Sequence, residues 1–180
     1  MTRRDVGGLL PAFDQEGWFR SRPITVPREW IDYNGHMNMA YYNRVCDLGV
    51  DDLFDHIGIG AAYRDTRNLS IYTAEFHTRF LREVMEGETL IVATQLLDHD
   101  EKRLHVFQEV RQADEGWIAA TGEGLCLHVD MSGPMVAPFP RDIAKTIAEL
   151  AERQADLPRP GAAGGQIDIS RRPGPARGQS

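Results

Sequence analysis

A single change of hydrophobic period restricts this chain most. From Met39 to Ile57 the residues Met39, Tyr42, Val45, Cys46, Gly49, Val50, Leu53, Phe54 and Ile57 recur at the helical spacing of about 3.6. From Leu69 onward the spacing becomes about 2, the period of strands. One amphipathic helix of roughly five turns therefore precedes a run of strands. Asn38 reads as its N-cap, because an Asn side chain accepts from the free amides of a first turn. Gly58 and Gly60 read as stops. Gly49, inside the helix, either admits another element closely or costs about 1 kcal/mol against Ala.

The strands can be placed by alternation and by turn residues. In the first, Leu69 to Phe80, Tyr72, Ala74, Phe76 and Phe80 fall on one face; Thr73, Glu75, His77 and Arg79 fall on the other. Met85 to Glu88 forms a turn, and Thr89 to Leu97 is apolar on both faces, as an interior strand would be. After a hairpin loop at Asp98–Lys102, Arg103 to Arg111 carries Leu104, Val106 and Val110 on one face. A turn at Ala113–Gly116 leads to Trp117–Val129, where Gly122 and Gly124 allow a bend or bulge. A short strand broken by Pro23 lies ahead of the helix, within Trp18–Val26. A second helix, Arg141 to Gln154, carries Ile143, Ile147 and Leu150 on one stripe.

Hairpin connections imply an antiparallel sheet, and one long apolar helix must be covered by it. The expected class is α+β: a hotdog fold, with a curved antiparallel sheet of five to six strands wrapped around one long helix. The domain spans 17–155. Residues 1–16 read as a flexible N-terminal arm. Residues 156–180, rich in Pro, Gly and Arg, read as a disordered tail. A strand left open at the sheet edge suits a second copy, so a homodimer or a dimer of dimers is expected.

Composition excludes several classes. The net charge of -7 argues against a nucleic-acid binder. No run approaches the roughly 20 apolar residues of a membrane helix, and no long apolar stretch follows the basic residues near Met1. Cys46 and Cys126 stand apart, which suits a reducing compartment; a cytoplasmic protein is expected. His56, His99, His105 and His128 lack partners at metal-ligand spacing, so no metal site is expected. Neither a Gly-x-Ser-x-Gly elbow nor a phosphate-binding glycine loop is present, and no cofactor is expected.

The segment Asp32-Tyr33-Asn34-Gly35-His36-Met37-Asn38 lies just ahead of the long helix. It offers a carboxylate, a glycine that permits a tight turn, and helix-start amides at the positive end of a dipole. That combination suits attack on a thioester: Asp32 as base or nucleophile, and an amide near Met39 facing the developing oxyanion. Spacing alone also fits a plain turn in which Asp32 and Asn38 merely cap the helix.

This segment, with Ala40-Tyr41-Tyr42 behind it, resembles the signature of hotdog thioesterases related to 4-hydroxybenzoyl-CoA thioesterase. It is similar more closely to the betainyl-CoA thioesterases of bacterial carnitine degradation. Glu29-Trp30-Ile31 ahead of the segment, Thr73-Ala74-Glu75-Phe76-His77, Lys102 to Phe107 and Leu127 to Asp130 also carry that similarity, which spans roughly residues 20 to 145. The resemblance implies hydrolysis of a small acyl-CoA, with CoA part of the substrate. Asp32 would be the catalytic carboxylate, and the Met39 amide would polarise the carbonyl. Met39 and Phe76 depart from the pattern, in which Asp or Asn and Thr are common.

His36, grouped with Asp32 and Met39 in the catalytic set, is expected to hold the loop by hydrogen bonds. Asn34, Gly35 and Asn38 shape the substrate site, with Tyr33, Tyr41 and Tyr72 beside it. Glu75 is expected to orient water or substrate and His77 to bond the Asp32 loop, or the two form an exposed polar strand face. Arg79, Arg82, Lys102 and Arg103 are candidates for the CoA phosphates or solvated surface charge. The rings of Trp30, Tyr33, Tyr41, Tyr42, Tyr72 and Phe76 fit either a cage for a trimethylammonium group or the core. A general short-chain or aromatic acyl-CoA thioesterase, or a non-catalytic acyl-CoA-binding module, also fits.

Overall fold

A computed structural model describes residues 12–167. Helix α1 (Met39–His56) begins as its sequence requires: the Asn38 side-chain oxygen accepts from the Ala40 amide at 3.0 Å. It ends in a Schellman arrangement. The Ile59 amide donates to the Phe54 carbonyl (2.8 Å) and the Gly58 amide to that of Asp55 (3.3 Å), with Gly58 at φ +86°. A short α2 (Ala61–Arg67) follows. Hydrophobic period does not announce it, because Tyr63 alone among its seven residues is buried.

Four long strands carry the fold: β3 (Leu69–Phe80), β4 (Thr89–His99), β5 (Arg103–Gln112) and β6 (Ile118–Asp130). They are antiparallel in the order β4-β5-β6-β3. The segment interrupted at Pro23 becomes β1 (Phe19–Arg20) and β2 (Ile24–Thr25), both pairing with β4. A short β7 (Met135–Val136) pairs with β6. The sheet therefore has seven strands instead of five to six. Helix α3 (Arg141–Arg153) buries Ile143, Ile147 and Leu150.

Burial of the α1 stripe against the sheet holds the molecule together. Tyr42, Val45, Cys46, Val50, Leu53 and Phe54 are all buried, at about 1.5–3 kcal/mol for a fully covered large apolar side chain. A Cβ on Gly49 would lie 2.4 Å from the Val92 Cβ. That glycine thus sets the approach of α1 to β4.

The strand β3 departs from simple alternation. Its register with β6 shifts between Thr73 and Glu75, with Ala74 as the extra residue of a bulge. Ahead of it, Leu69 and Ile71 pack on the core and Thr73 reaches the Cys126 sulfur at 3.9 Å. Beyond it, Phe76 packs inward, Thr78 donates to the Asn43 side chain of α1, and Phe80 meets Tyr42 edge-on. Tyr72 and Phe76 therefore lie on opposite faces, not on one. No register shift falls at Gly122 or Gly124 in β6. They leave room for the Phe76 ring, whose Cζ would be 2.6 Å from a Cβ at Gly122.

Both flanks are held more closely than composition implies. Asp14 accepts from the amides of Glu16, Gly17 and Trp18 and pairs with Arg111 at 3.2 Å. Leu157, Ala162 and Ala163 cover Trp18, Ala93 and Phe107 on the sheet face turned away from α1. Gln154, buried at the end of α3, binds the Leu96 amide and the Thr94 and Gly17 carbonyls. Within the segments expected as a flexible arm and a disordered tail, Asp14, Leu157, Ala162 and Ala163 thus touch the body, while Ile167 is exposed. Residues 1–11 and 168–180 of those two segments lie outside the described residues.

Candidate active site

Pro27 introduces a single 3-10 turn, Arg28–Trp30. Ile31 then pairs with Met37 in an isolated antiparallel bridge, and the loop between them closes on itself. The Gly35 amide donates to the Asp32 carbonyl and the Asp32 amide to that of His36, both at 3.1 Å. Gly35 sits at φ +87°, where a side chain would be strained although the space is open. Met37 is 1% exposed, and its amide donates to the Val84 carbonyl at 2.8 Å. The Asn38 amide donates to the Trp30 carbonyl at 2.9 Å. A buried methionine and four backbone bonds therefore fix the loop that presents Asp32.

The Asp32 carboxylate is half-buried and held at both oxygens. Oδ1 accepts from the Asn34 amide at 2.8 Å, an Asx-turn. Oδ2 accepts from Asn38 Nδ2 at 3.3 Å. At the start of α1, the Asn38 side chain takes the Ala40 amide and its carbonyl takes the Tyr41 amide. The Met39 amide, first in the helix, has no partner within it. A carboxylate and a dipole-enhanced donor thus lie on either side of one asparagine.

Beside this loop runs a groove of about 270 Å³ lined by His36, Met39, Phe80, Leu81, Arg82 and Glu83. His36 Nε2 lies 3.7 Å from a Glu83 carboxylate oxygen, and its Nδ1 is 3.4 Å from the Met37 carbonyl. The Arg82 guanidinium sits 4.0 Å above the Trp117 ring. Tyr42, buried, donates to the Arg82 carbonyl at 3.1 Å and anchors the segment to α1.

The residues singled out in the sequence divide between two places. Asp32, Asn34, Gly35, His36, Asn38 and Met39 form the loop and helix start, and of these His36 and Met39 line the groove with Arg82. Tyr41 stacks on Trp30, centroids 5.1 Å apart, while Tyr33 is 96% exposed. Glu75, His77 and Arg103 instead line a cavity of about 770 Å³ on the sheet face away from α1, with Asp98, His105 and Glu123. His77, opposite Glu123 in the register, therefore does not bond the Asp32 loop within this chain; Asn34 and Asn38 do. Tyr72, exposed, donates to the Met131 sulfur at 3.1 Å.

Of the remaining cations, Arg103 is tied to Asp100, which it holds below the usual carboxylate range. Lys102 is 3.6 Å from Glu101. Arg79 is half-buried, opposite Thr121. Glu83 and the His105–Glu123 pair (2.8 Å) were not singled out from the sequence. The two thiols do not compete with Asp32 as nucleophiles. Burial pushes Cys46 up to about 12 and Cys126 to about 11.

The thioesterase-like superfamily profile matches residues 26–147. The chain belongs to that superfamily, and is a thioester hydrolase with the hotdog fold. It is 40% identical over 141 residues to the betainyl-CoA thioesterase of Pseudomonas aeruginosa, covering 78% of this chain and 89% of that one. It is 35% identical over 165 residues to the L-carnitine dehydrogenase/betainyl-CoA thioesterase of Rhizobium meliloti, covering 92% of this chain but 33% of that longer protein. Among solved structures, a Staphylococcus aureus protein in complex with CoA superposes with a TM-score of 0.79 at 27% identity, covering 90% of this chain and all of that one.

Proposed function

We propose that this protein hydrolyses betainyl-CoA to betaine and CoA, with Asp32 as the reacting carboxylate. The observation that carries this reading is the pairing of a fixed Asp32 carboxylate with the free helix-start amide of Met39, in a chain 40% identical to a betainyl-CoA thioesterase. The thioester carbonyl oxygen lies toward the Met39 amide. Water adds to the carbonyl carbon as Asp32 takes its proton, and the developing oxyanion is met by that amide, a contribution of about 3–4 kcal/mol for one such donor. The C–S bond then breaks, and the proton passes from Asp32 to the CoA sulfur. Direct attack by Asp32 through an acyl anhydride is the covalent variant of the same chemistry.

The groove supports a cationic acyl group. Phe80, Met39 and Leu81 give it apolar and aromatic surface and Glu83 gives it a carboxylate, the mixture that holds quaternary ammonium ions. Glu83 lines this groove, whereas Glu75 lies on the far sheet face. Arg82 is the candidate for a CoA phosphate. β3 ends the sheet, with β6 on one side, so its other edge is open to a second copy; a homodimer or dimer of dimers in the cytoplasm completes the reading. Among the described residues no helix is long and apolar enough to cross a membrane.

The test is release of free thiol from betainyl-, acetyl- and benzoyl-CoA. Betainyl-CoA should have the highest kcat/KM, and Asp32→Asn should lower kcat by at least about 100-fold at unchanged melting temperature. Tight CoA binding without thiol release would instead make this a binding module.

A further inference from the structure

The Asn38 side chain has both its ends engaged, and the engagement has a direction. Its Oδ1 accepts from the Ala40 amide at 3.0 Å. A backbone N–H can only donate, so the oxygen must face the helix. The NH2 group is then left facing Asp32, with Nδ2 3.3 Å from Oδ2. A carboxylate can only accept, so both ends agree on one orientation. The backbone of Asn38 is engaged as well, its amide to the Trp30 carbonyl and its carbonyl from the Tyr41 amide. The residue has little freedom to turn away.

We infer that Asn38 is a positioning residue that fixes the Asp32 carboxylate relative to the first amide of α1, so that base and oxyanion donor are registered by one side chain. The inference rests on Asp32 being the reacting carboxylate. Its physical content is distance. The oxyanion must lie near the Met39 amide while Asp32 reaches the attacking water, and a misplacement of about 1 Å can cost 100-fold in rate. The Asx-turn from Asn34 holds one carboxylate oxygen to the loop. The bond from Asn38 holds the other to the helix, and capping alone would not require it. The cap needs an oxygen; Ser, Thr or Asp would supply one. The bond to Asp32 needs a donor from the same side chain.

That difference separates the two roles experimentally. Asn38→Ser keeps a capping oxygen and removes the amide donor. Asn38→Asp keeps the cap and sets a second carboxylate against Asp32. For Asn38→Ser the expected result is an unchanged melting temperature, kcat for betainyl-CoA lower by about 10- to 100-fold, and KM within about twofold. For Asn38→Asp the loss should be larger. The acid limb of its kcat/KM profile should move to higher pH, because like charge disfavours ionisation. Wild-type kcat in Asn38→Ser, alongside an inactive Asp32→Asn, would overturn the inference and leave the proposed function standing. Activity lost only in proportion to folded protein would also overturn it. Absence of thiol release by the wild-type protein would overturn the proposed function and this inference together.

Discussion

The ring of Phe76 stands where a side chain on Gly122 would have to go, its Cζ 2.6 Å from the position of the missing Cβ. The same Cβ would lie 3.1 Å from the Cys46 sulfur of α1. Three elements therefore meet over a glycine. Gly122→Ala should cost about 1–3 kcal/mol by overpacking, read as a fall in melting temperature. Phe76→Thr in the same chain should restore part of that loss, and the double-mutant cycle measures the coupling. Additive effects would show that the ring does not occupy this space.

Glu83 can be tested with a neutral isostere. The 3,3-dimethylbutanoyl thioester of CoA has the shape of the betainyl one with carbon in place of nitrogen. Glu83→Gln should lower kcat/KM for betainyl-CoA by about two- to fivefold, the scale of an exposed charge pair, and leave the isostere unaffected. The difference should shrink in high salt. An equal loss for both substrates would assign Glu83 to shape and not to charge.

Acid stability should depend on the Arg67–Asp142 pair, which clips α2 to α3 through two bonds, Nη1 to Oδ1 at 3.0 Å and Nη2 to Oδ2 at 2.6 Å. The guanidinium lowers the Asp142 carboxyl below its ordinary value. The stabilisation is therefore complete above the ordinary carboxylate range and is lost as pH falls through the lowered folded value. Asp142→Asn should narrow the drop in melting temperature between pH 5 and about pH 3. The pair is exposed, so the change should be modest and weaken with salt.

The parts of the fold legible in the sequence are those with a strong period. The α1 stripe, its Asn38 cap, the interior character of β4 and the inward face of β5 follow from alternation and spacing. Helix α2 was not legible, because one buried residue makes no stripe. The flanks were not legible, because a segment poor in apolar residues can still cover a small patch such as Trp18 and Phe107. For the candidate site, the local geometry was legible: Asp32, Gly35, His36 and Asn38 lie within one seven-residue loop, whose turn and helix cap follow from their spacing. Glu75 and His77 could not be assigned, because which face of β3 they take relative to α1 depends on pairing with β6, which sequence spacing does not show. Glu83 became visible only when the return of the chain after β3 brought it over the start of α1.

The extra residue in β3 gives the strand two parities. Up to Thr73 the odd-numbered positions look toward α1; from Phe76 the even-numbered ones do. Any relative that lacks the additional residue must be aligned with a gap near Ala74. Without it, half the strand would exchange inside for outside, and a residue of the far face would be credited with a place in the core.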